Sequence, residues 1–433
     1  MKSILPAHLR WQNAQRKILL NLPFWLAAGA TALVSVCYNQ LFRICEEWMM
    51  SQSTRSTLLW TAPLAVTASF LVGYFFSPQA LGSGIPQVIA SVELSAENHP
   101  LLRKLLSLPM IVVKILGSCI CVLGGGVSGR EGPTLQVSTA IFYQFSRFWP
   151  KKLPQPQLPA IILAGGAAGL ASAFNTPLGG VVFAIEELSK SHISLVRTAV
   201  FQAVIIAGLL AQLFLGNYIY LGDTHFGTFP ALALGHTIII SAIVGVAGSG
   251  FAESLYRISK WRAKKSFALK LAVTLICGTL LSATLYFCGP SATGAGKHTM
   301  IELLQNPMQE ADISLPLGRL FGNFFTYSAG VVGGIFAPAL SSGAALGHYL
   351  GWLLGFAHLK LMILVGMVAF LTGITRTPFT SFVLVLEMSN SHEIILYLML
   401  ASLVANVTAR LVNVRSFYEQ AAHDILPADS KAT

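Results

Sequence analysis

The chain has 433 residues, of which 54% are hydrophobic and only 10% charged, and its mean hydropathy is +0.66. Ordinary soluble domains carry about 25% charged residues, so the composition excludes a soluble globular protein and implies a chain embedded in lipid. A net charge of +11 would suggest nucleic acid in a soluble chain; here the cations sit mainly in loops and at the N-terminus, read as membrane topology, and no nucleic-acid partner is expected.

Lys2, Arg10, Arg16 and Lys17 precede the first apolar run, Leu19–Leu41, and Glu46 and Glu47 follow it. The positive-inside rule puts the N-terminus in the cytoplasm. The run is too long for a signal peptide and lacks an obvious cleavage site, so it reads as a retained span. Further runs at Leu58–Phe76, Ile111–Val127, Leu195–Leu215, Leu232–Phe251, Leu269–Cys288 and Ile394–Val407 have, or approach, bilayer-spanning length. Leu163–Ile185 and Ile335–Phe356 are similar but rich in glycine and small residues. The reading is an all-α polytopic membrane protein with ten or more embedded segments.

The expected organisation is an N-terminal cytoplasmic segment at 1–17, a membrane repeat at 18–215, a linker at 216–230, a second membrane repeat at 231–425 and a cytoplasmic tail at 426–433. Lys151–Pro159 reads as a polar loop within the first half. Cys37, Cys45, Cys119, Cys121, Cys277 and Cys288 form no CxxC and lie in or beside apolar segments, as small buried hydrophobes do. His392-Glu393 fails the HExxH pattern because position 396 is leucine. No metal or cofactor is expected.

Leu163–Glu187 and Leu364–Met388 align without a gap at an offset of 201 residues, and eight positions match. The matches include Thr176-Pro177 with Thr377-Pro378, and Glu186 with Glu387. Upstream of each lies a glycine-rich break, a proline and a small-residue helix, beginning at Gly129 and Gly333. Gly/Pro-interrupted segments at corresponding places in two halves point to a binding site where the halves meet.

Three such breaks stand out: GSGIP at 82–86, GREGP at 129–133 and GGIFAP at 333–338. Each precedes a plausible helix start. A helix start presents unpaired N–H groups and the positive end of its dipole, so several starts converging on one point would hold an anion without a full countercharge. An ion held that way can also leave.

Glu131 stands inside the second break. A carboxylate in hydrocarbon is costly and marks a functional hypothesis. Pairing with Arg130 is disfavoured, because adjacent residues on a helix do not face each other. A carboxylate beside an anion site can fill that site, and protonation would release it, so Glu131 reads as a gate that competes with the transported ion. Glu186-Glu187 closes the apolar run Val181–Ile185. It reads either as a helix end at the water interface or as a proton entry point on the face opposite Glu131.

With three motifs in order, the chain resembles the CLC chloride channel and transporter family over about residues 18 to 425. The resemblance implies a homodimer with one pore per subunit, each subunit being two inverted-topology repeats of tilted and broken helices. It also implies that the Ser83 hydroxyl and the hydroxyl of Tyr418, in NVRSFYEQAA, contact a central chloride, with Gly82 and Gly84 flanking Ser83. Backbone N–H groups of Ile335 and Phe336 would complete that site, and those of Arg130, Glu131 and Gly132 would form an outer one. Glu131 falls on the family's gating glutamate and Glu187 on the inner glutamate that takes up protons, with Glu186 beside it in the same acid pair. In such transporters an acid at this position favours exchange of chloride for protons over a passive, voltage-independent chloride channel, and the resemblance implies a ratio of two chloride ions to one proton. Ser83 points to chloride rather than nitrate, and the serine–tyrosine pattern separates the chain from fluoride exporters. The short stretch after Tyr418 suggests a bacterial inner-membrane protein with both termini cytoplasmic and no nucleotide-binding regulatory domain.

A reading of another class is an intramembrane serine protease. Gly126-Val127-Ser128-Gly129 fits GxSG, but catalysis would need a histidine beside Ser128. His192, His236, His348, His358 and His392 all lie near span ends or loops.

Overall fold

A computed structural model describes residues 7–427 except 154, 156, 189–198, 217, 218, 223, 225 and 228. The described residues fold into helices. The first half holds α1 (Ala7–Gln52), α2 (Arg55–Phe76), α3 (Ile85–Ala96), α4 (Leu102–Leu105), α5 (Leu108–Leu123), α6 (Glu131–Phe148), α7 (Leu158–Phe174), α8 (Pro177–Phe183) and α9 (Ala199–Leu215). The second half holds α10 (Leu232–Ala263), α11 (Phe267–Cys288), α12 (Lys297–Gln305), α13 (Ser314–Ser328), α14 (Phe336–Leu353), α15 (Leu359–Thr375), α16 (Pro378–Ser389), α17 (Ile395–Ala409) and α18 (Phe417–Ile425).

Among the described residues, five helices are long and apolar enough to cross a membrane, and shorter apolar helices lie between them. The outer surface carries large apolar side chains, with Trp60, Leu213 and Phe287 each about three-quarters exposed, as expected for a chain whose solvent is lipid. The interior instead collects polar groups such as Lys114, Glu131, Glu187 and Arg319.

Several expected segments differ in extent. The N-terminal segment is helical from residue 7 and continuous with the first span in α1. The run expected at Ile111–Val127 is helical only to Leu123. Gly125 takes a left-handed φ of +93°, and Gly126 N–H closes the end on Cys121 O at 3.0 Å. Leu163–Ile185, expected as one segment, is two helices. Asn175 caps α7 at φ +58°, and Thr176 is held extended because Pro177 follows it. The same break recurs 201 residues later, with Arg376 at φ +59° capping α15 and Thr377 before Pro378.

The repeat is therefore one of backbone as well as of sequence. In each half the helix that follows a glycine break lies against the next helix, α6 on α7 and α14 on α15. Close approach needs the missing side chains: a methyl on Gly165 would lie 2.7 Å from Thr139 Cα. Residues 195–198 of the run expected at Leu195–Leu215, and residues 428–433 of the tail, lie outside the described residues, as does His192.

Candidate functional site

The three glycine breaks meet at the centre of the molecule. Gly82 N–H donates to Val331 O at 2.8 Å, and Gly333 N–H returns to Gly82 O at 3.2 Å. Gly129 and Gly334 exchange both backbone hydrogen bonds, at 2.8 and 2.9 Å. These bonds satisfy the irregular backbone at membrane depth. They also bring the starts of α3, α6 and α14 to one region, with Gly84, Arg130 and Ile335 at the cap positions. Gly84 stands at φ +102°, and a side chain there would lie 2.8 Å from Gly132 O. Likewise a methyl on Gly132 would press 2.5 Å from Ser83 Oγ. Only glycine at both positions lets the first and second breaks touch. The first turns of these helices, including the N–H groups of Glu131, Gly132 and Phe336, have no intrahelical acceptor.

Glu131 is fully buried, and neither carboxylate oxygen has a hydrogen-bond partner. Its side chain folds back over Gly129. A methyl at Gly129 would strike Glu131 Oε2 and would lie 2.9 Å from Pro338 Cδ and 3.2 Å from Ala337 Cβ. The carboxylate thus rests against the starts of α6 and α14. The Arg130 guanidinium turns elsewhere, 5.6 Å above the Phe42 ring of α1.

Ser83 Oγ and Tyr418 Oη are buried hydroxyls without hydrogen-bond partners. They lie close together, and the phenol interacts electrostatically with both Glu131 and Glu187. Two orphaned donors beside converging helix starts have the chemistry to hold a small anion, since an unsatisfied buried hydroxyl is otherwise costly. The Phe336 ring, at the start of α14, packs 5.6 Å from Phe174 and 6.3 Å from Phe183.

The two acids of the Glu186-Glu187 pair part company. A π-helical turn, Ala184–Leu188, carries both. Such turns re-aim side chains and are frequent at functional sites. Glu186 reaches across to α16 and accepts from Phe379 N at 3.1 Å, Thr380 N at 2.6 Å and Thr380 Oγ1 at 2.8 Å. Glu187 is 1% exposed and lines a cavity of about 140 Å³ with Ile89, Glu93, Glu419 and His423.

Sequence reasoning passed over two cations. Lys114, inside the apolar run Ile111–Val127, is fully buried and donates to Ala80 O at 2.8 Å and Gly82 O at 2.7 Å. It holds the backbone that leads into Ser83. Arg319 is also fully buried and donates to Ala292, Thr293 and Gly294 carbonyls and to Ser341 Oγ of α14. A lone cation inside an apolar run was the available signal in the first case.

Ser128 Oγ lies against Gly333 and has no hydrogen-bond partner. His236 stacks on Phe356 at 3.8 Å, and His348 Nε2 contacts Pro307 O at 2.8 Å. No base therefore activates Ser128 among the described residues. Among those residues no cluster of potential ligands could hold a metal ion.

Comparison with known proteins finds relatives over most of the chain. Residues 64–410 match the model of the voltage-gated chloride channel family. The H(+)/Cl(−) exchange transporter ClcA of Vibrio cholerae serotype O1 is 29% identical over 94% of this chain and 89% of its own length. ClcA of Vibrio vulnificus is 28% identical over 88% and 84%. Among solved structures, a slow cyanobacterial Cl−/H+ antiporter superimposes with a TM-score of 0.79 at 22% identity, covering 94% of this chain and 97% of that one. A CLC-type fluoride/proton antiporter gives 0.77 at 20% identity, covering 93% and 97%, and so shares the fold. With four-fifths of its length inside one family model, its breaks in family order and its fold shared with such transporters, the chain belongs to the voltage-gated chloride channel family.

Proposed function

We propose that this protein is a chloride/proton antiporter in which Glu131 is the gate and Glu187 the inner proton acceptor. The observation that carries the reading is the Glu131 carboxylate folded over Gly129 against the starts of α6 and α14. Ser83 and Tyr418 hold the central chloride with the backbone N–H groups of Ile335 and Phe336. Arg130, Glu131 and Gly132 offer theirs to an outer ion, and Gly82 and Gly84 shape the turn around Ser83. The deprotonated Glu131 competes with chloride at the helix starts; protonation neutralises it, it leaves, and chloride enters. Proton occupancy and chloride occupancy are thereby coupled. Glu186, engaged with α16, supports the turn that carries Glu187 and does not itself pass the proton.

The exchange ratio proposed is two chloride ions per proton. The protein sits in a bilayer, by our reading the bacterial inner membrane with cytoplasmic termini, and functions as a homodimer. If the family's dimer contact carries over, it falls on segments 195–215 and 378–407, where Leu209, Leu213, Phe379 and Leu403 are strongly exposed and apolar.

The test is proton movement in liposomes containing only this protein. A chloride gradient is imposed without a pH gradient, and potassium with valinomycin holds the potential near zero. Proton movement opposite to chloride, building a pH difference, supports exchange. Chloride flux without proton movement supports the passive channel instead. Absence of chloride flux in verified vesicles overturns both and directs the assay to fluoride and nitrate.

A further inference from the structure

A second cationic site lies away from the gate. A cavity of about 320 Å³ opens between α2, α10, α11 and α13, lined by Phe70, Tyr74, Gly82, Arg262, Lys270 and Tyr327 among others. No carboxylate lines it. Arg262 is only 8% exposed, and its Nε has no hydrogen-bond partner. One end of the guanidinium is anchored: Nη2 donates to Thr274 Oγ1 at 3.0 Å, and that hydroxyl donates to Ala329 O at 2.8 Å. Its face rests on the Phe70 ring, with Cζ 4.5 Å from the centroid. Lys270, on the same wall, adds a second positive charge.

A buried guanidinium without a counter-charge is costly, and a planar fork beside a lysine matches phosphate oxygens. The cavity is far larger than a single halide needs, and its remaining walls are mainly aromatic and apolar, with Ser259 and Ser328 as further polar groups. It also lies where α2 and α10 end and α11 begins, beside Lys260, Lys264 and Lys265. α2 returns the chain to the side from which α1 starts, so the basic loop falls on the side of the basic N-terminus. Basic pockets between membrane helices on that side hold the head groups of anionic lipids.

We infer that the Arg262–Lys270 cavity binds a phosphate group, that of an anionic phospholipid or of free phosphate. An occupant there touches Gly82, next to Ser83, and Gly330, ahead of the third break. It completes the charge on Arg262 and stiffens both turns that shape the central site.

The experiment is native mass spectrometry of the purified full chain with phosphatidylglycerol or phosphatidylcholine added, alongside thermal unfolding with inorganic phosphate. The wild-type protein retains phosphatidylglycerol about tenfold over phosphatidylcholine, a 1.4 kcal/mol difference. Lys270→Gln and Arg262→Gln remove that preference, and Lys265→Gln, a neighbour outside the cavity, keeps it. Stabilisation by inorganic phosphate that vanishes in Lys270→Gln, without a lipid preference, assigns the site to the free anion. Lys270→Gln alone suffices where Arg262→Gln lowers the folded yield. Equal lipid retention and equal phosphate response in wild type and Lys270→Gln overturn the inference. The readout is binding, so either outcome is independent of the chloride/proton assignment.

Discussion

Glu186 and Glu387 cap each other's helices. Glu186, just after α8, accepts hydrogen bonds from the first N–H groups of α16, and Glu387, near the end of α16, accepts from Leu178 N at 3.2 Å and Gly179 N at 2.8 Å at the start of α8. The two are repeat partners, 201 residues apart. Each carboxylate faces the positive end of the partner helix. The swap joins the halves beside the turn that aims Glu187.

Removing either charge should therefore weaken the joint and spare the chemistry. We expect Glu186→Gln and Glu387→Gln each to cost about 1 kcal/mol of stability, the usual worth of a lost helix cap. Denaturation in mixed micelles reads the loss. The chloride-to-proton ratio of Glu186→Gln should equal that of the wild type; a collapsed ratio would return the proton route to Glu186.

Glu131→Gln should act as a gate fixed in its protonated form. Chloride exchange should persist and lose its pH dependence, whereas wild-type exchange should rise as the pH falls and the gate protonates. Coupled proton movement should drop to that of protein-free vesicles. Chloride-driven proton pumping retained in this variant would sink the gate assignment.

Glu187→Gln should abolish proton movement and leave chloride flux in place, because the cavity then ends on a side chain that cannot take up a proton. Vesicle pH and chloride efflux, recorded on one preparation, read both. Unchanged coupling would reduce Glu187 to a helix-end carboxylate.

Ser83→Ala and Tyr418→Phe each delete one orphaned hydroxyl with little change of shape. A hydrogen bond to a charged partner is worth about 1.5–3 kcal/mol, so chloride affinity by calorimetry should fall roughly ten- to a hundredfold in each. Wild-type affinity in Tyr418→Phe would mean that another group holds the ion.

Lys114→Met should be among the most damaging single changes. It leaves Ala80 O buried without its donor, at about 1–3 kcal/mol, strips Gly82 O of one of two donors, Gly333 N–H remaining, and frees the backbone before Ser83. The folded yield by size exclusion should fall, and whatever protein folds should bind chloride weakly. Normal yield and affinity would show that the two carbonyls find other donors.

Much of this was legible in the chain itself. Low charge and long apolar runs imposed the membrane fold, since lipid leaves helices as the economical way to satisfy each segment's backbone. The GSGIP, GREGP and GGIFAP breaks and the 201-residue repeat marked the backbone interruptions that the fold brings together, because glycine and proline fix backbone shape locally. What the chain could not reveal were meetings between distant residues. Apolar periodicity does not separate a lipid-facing side from a core-facing one when both neighbours are greasy, so the ends of Ile111–Val127 and the break inside Leu163–Ile185 were missed. The repeat displayed the Thr-Pro pair as a likeness, yet only the folded backbone, with Asn175 and Arg376 left-handed, made it a pair of helix breaks. The partners of Lys114, the exchange of caps between Glu186 and Glu387, and the unpaired face of Arg262 all depend on contacts across the helix bundle. Such contacts are fixed by tertiary packing, where a buried charge must find its partner wherever the chain happens to bring one.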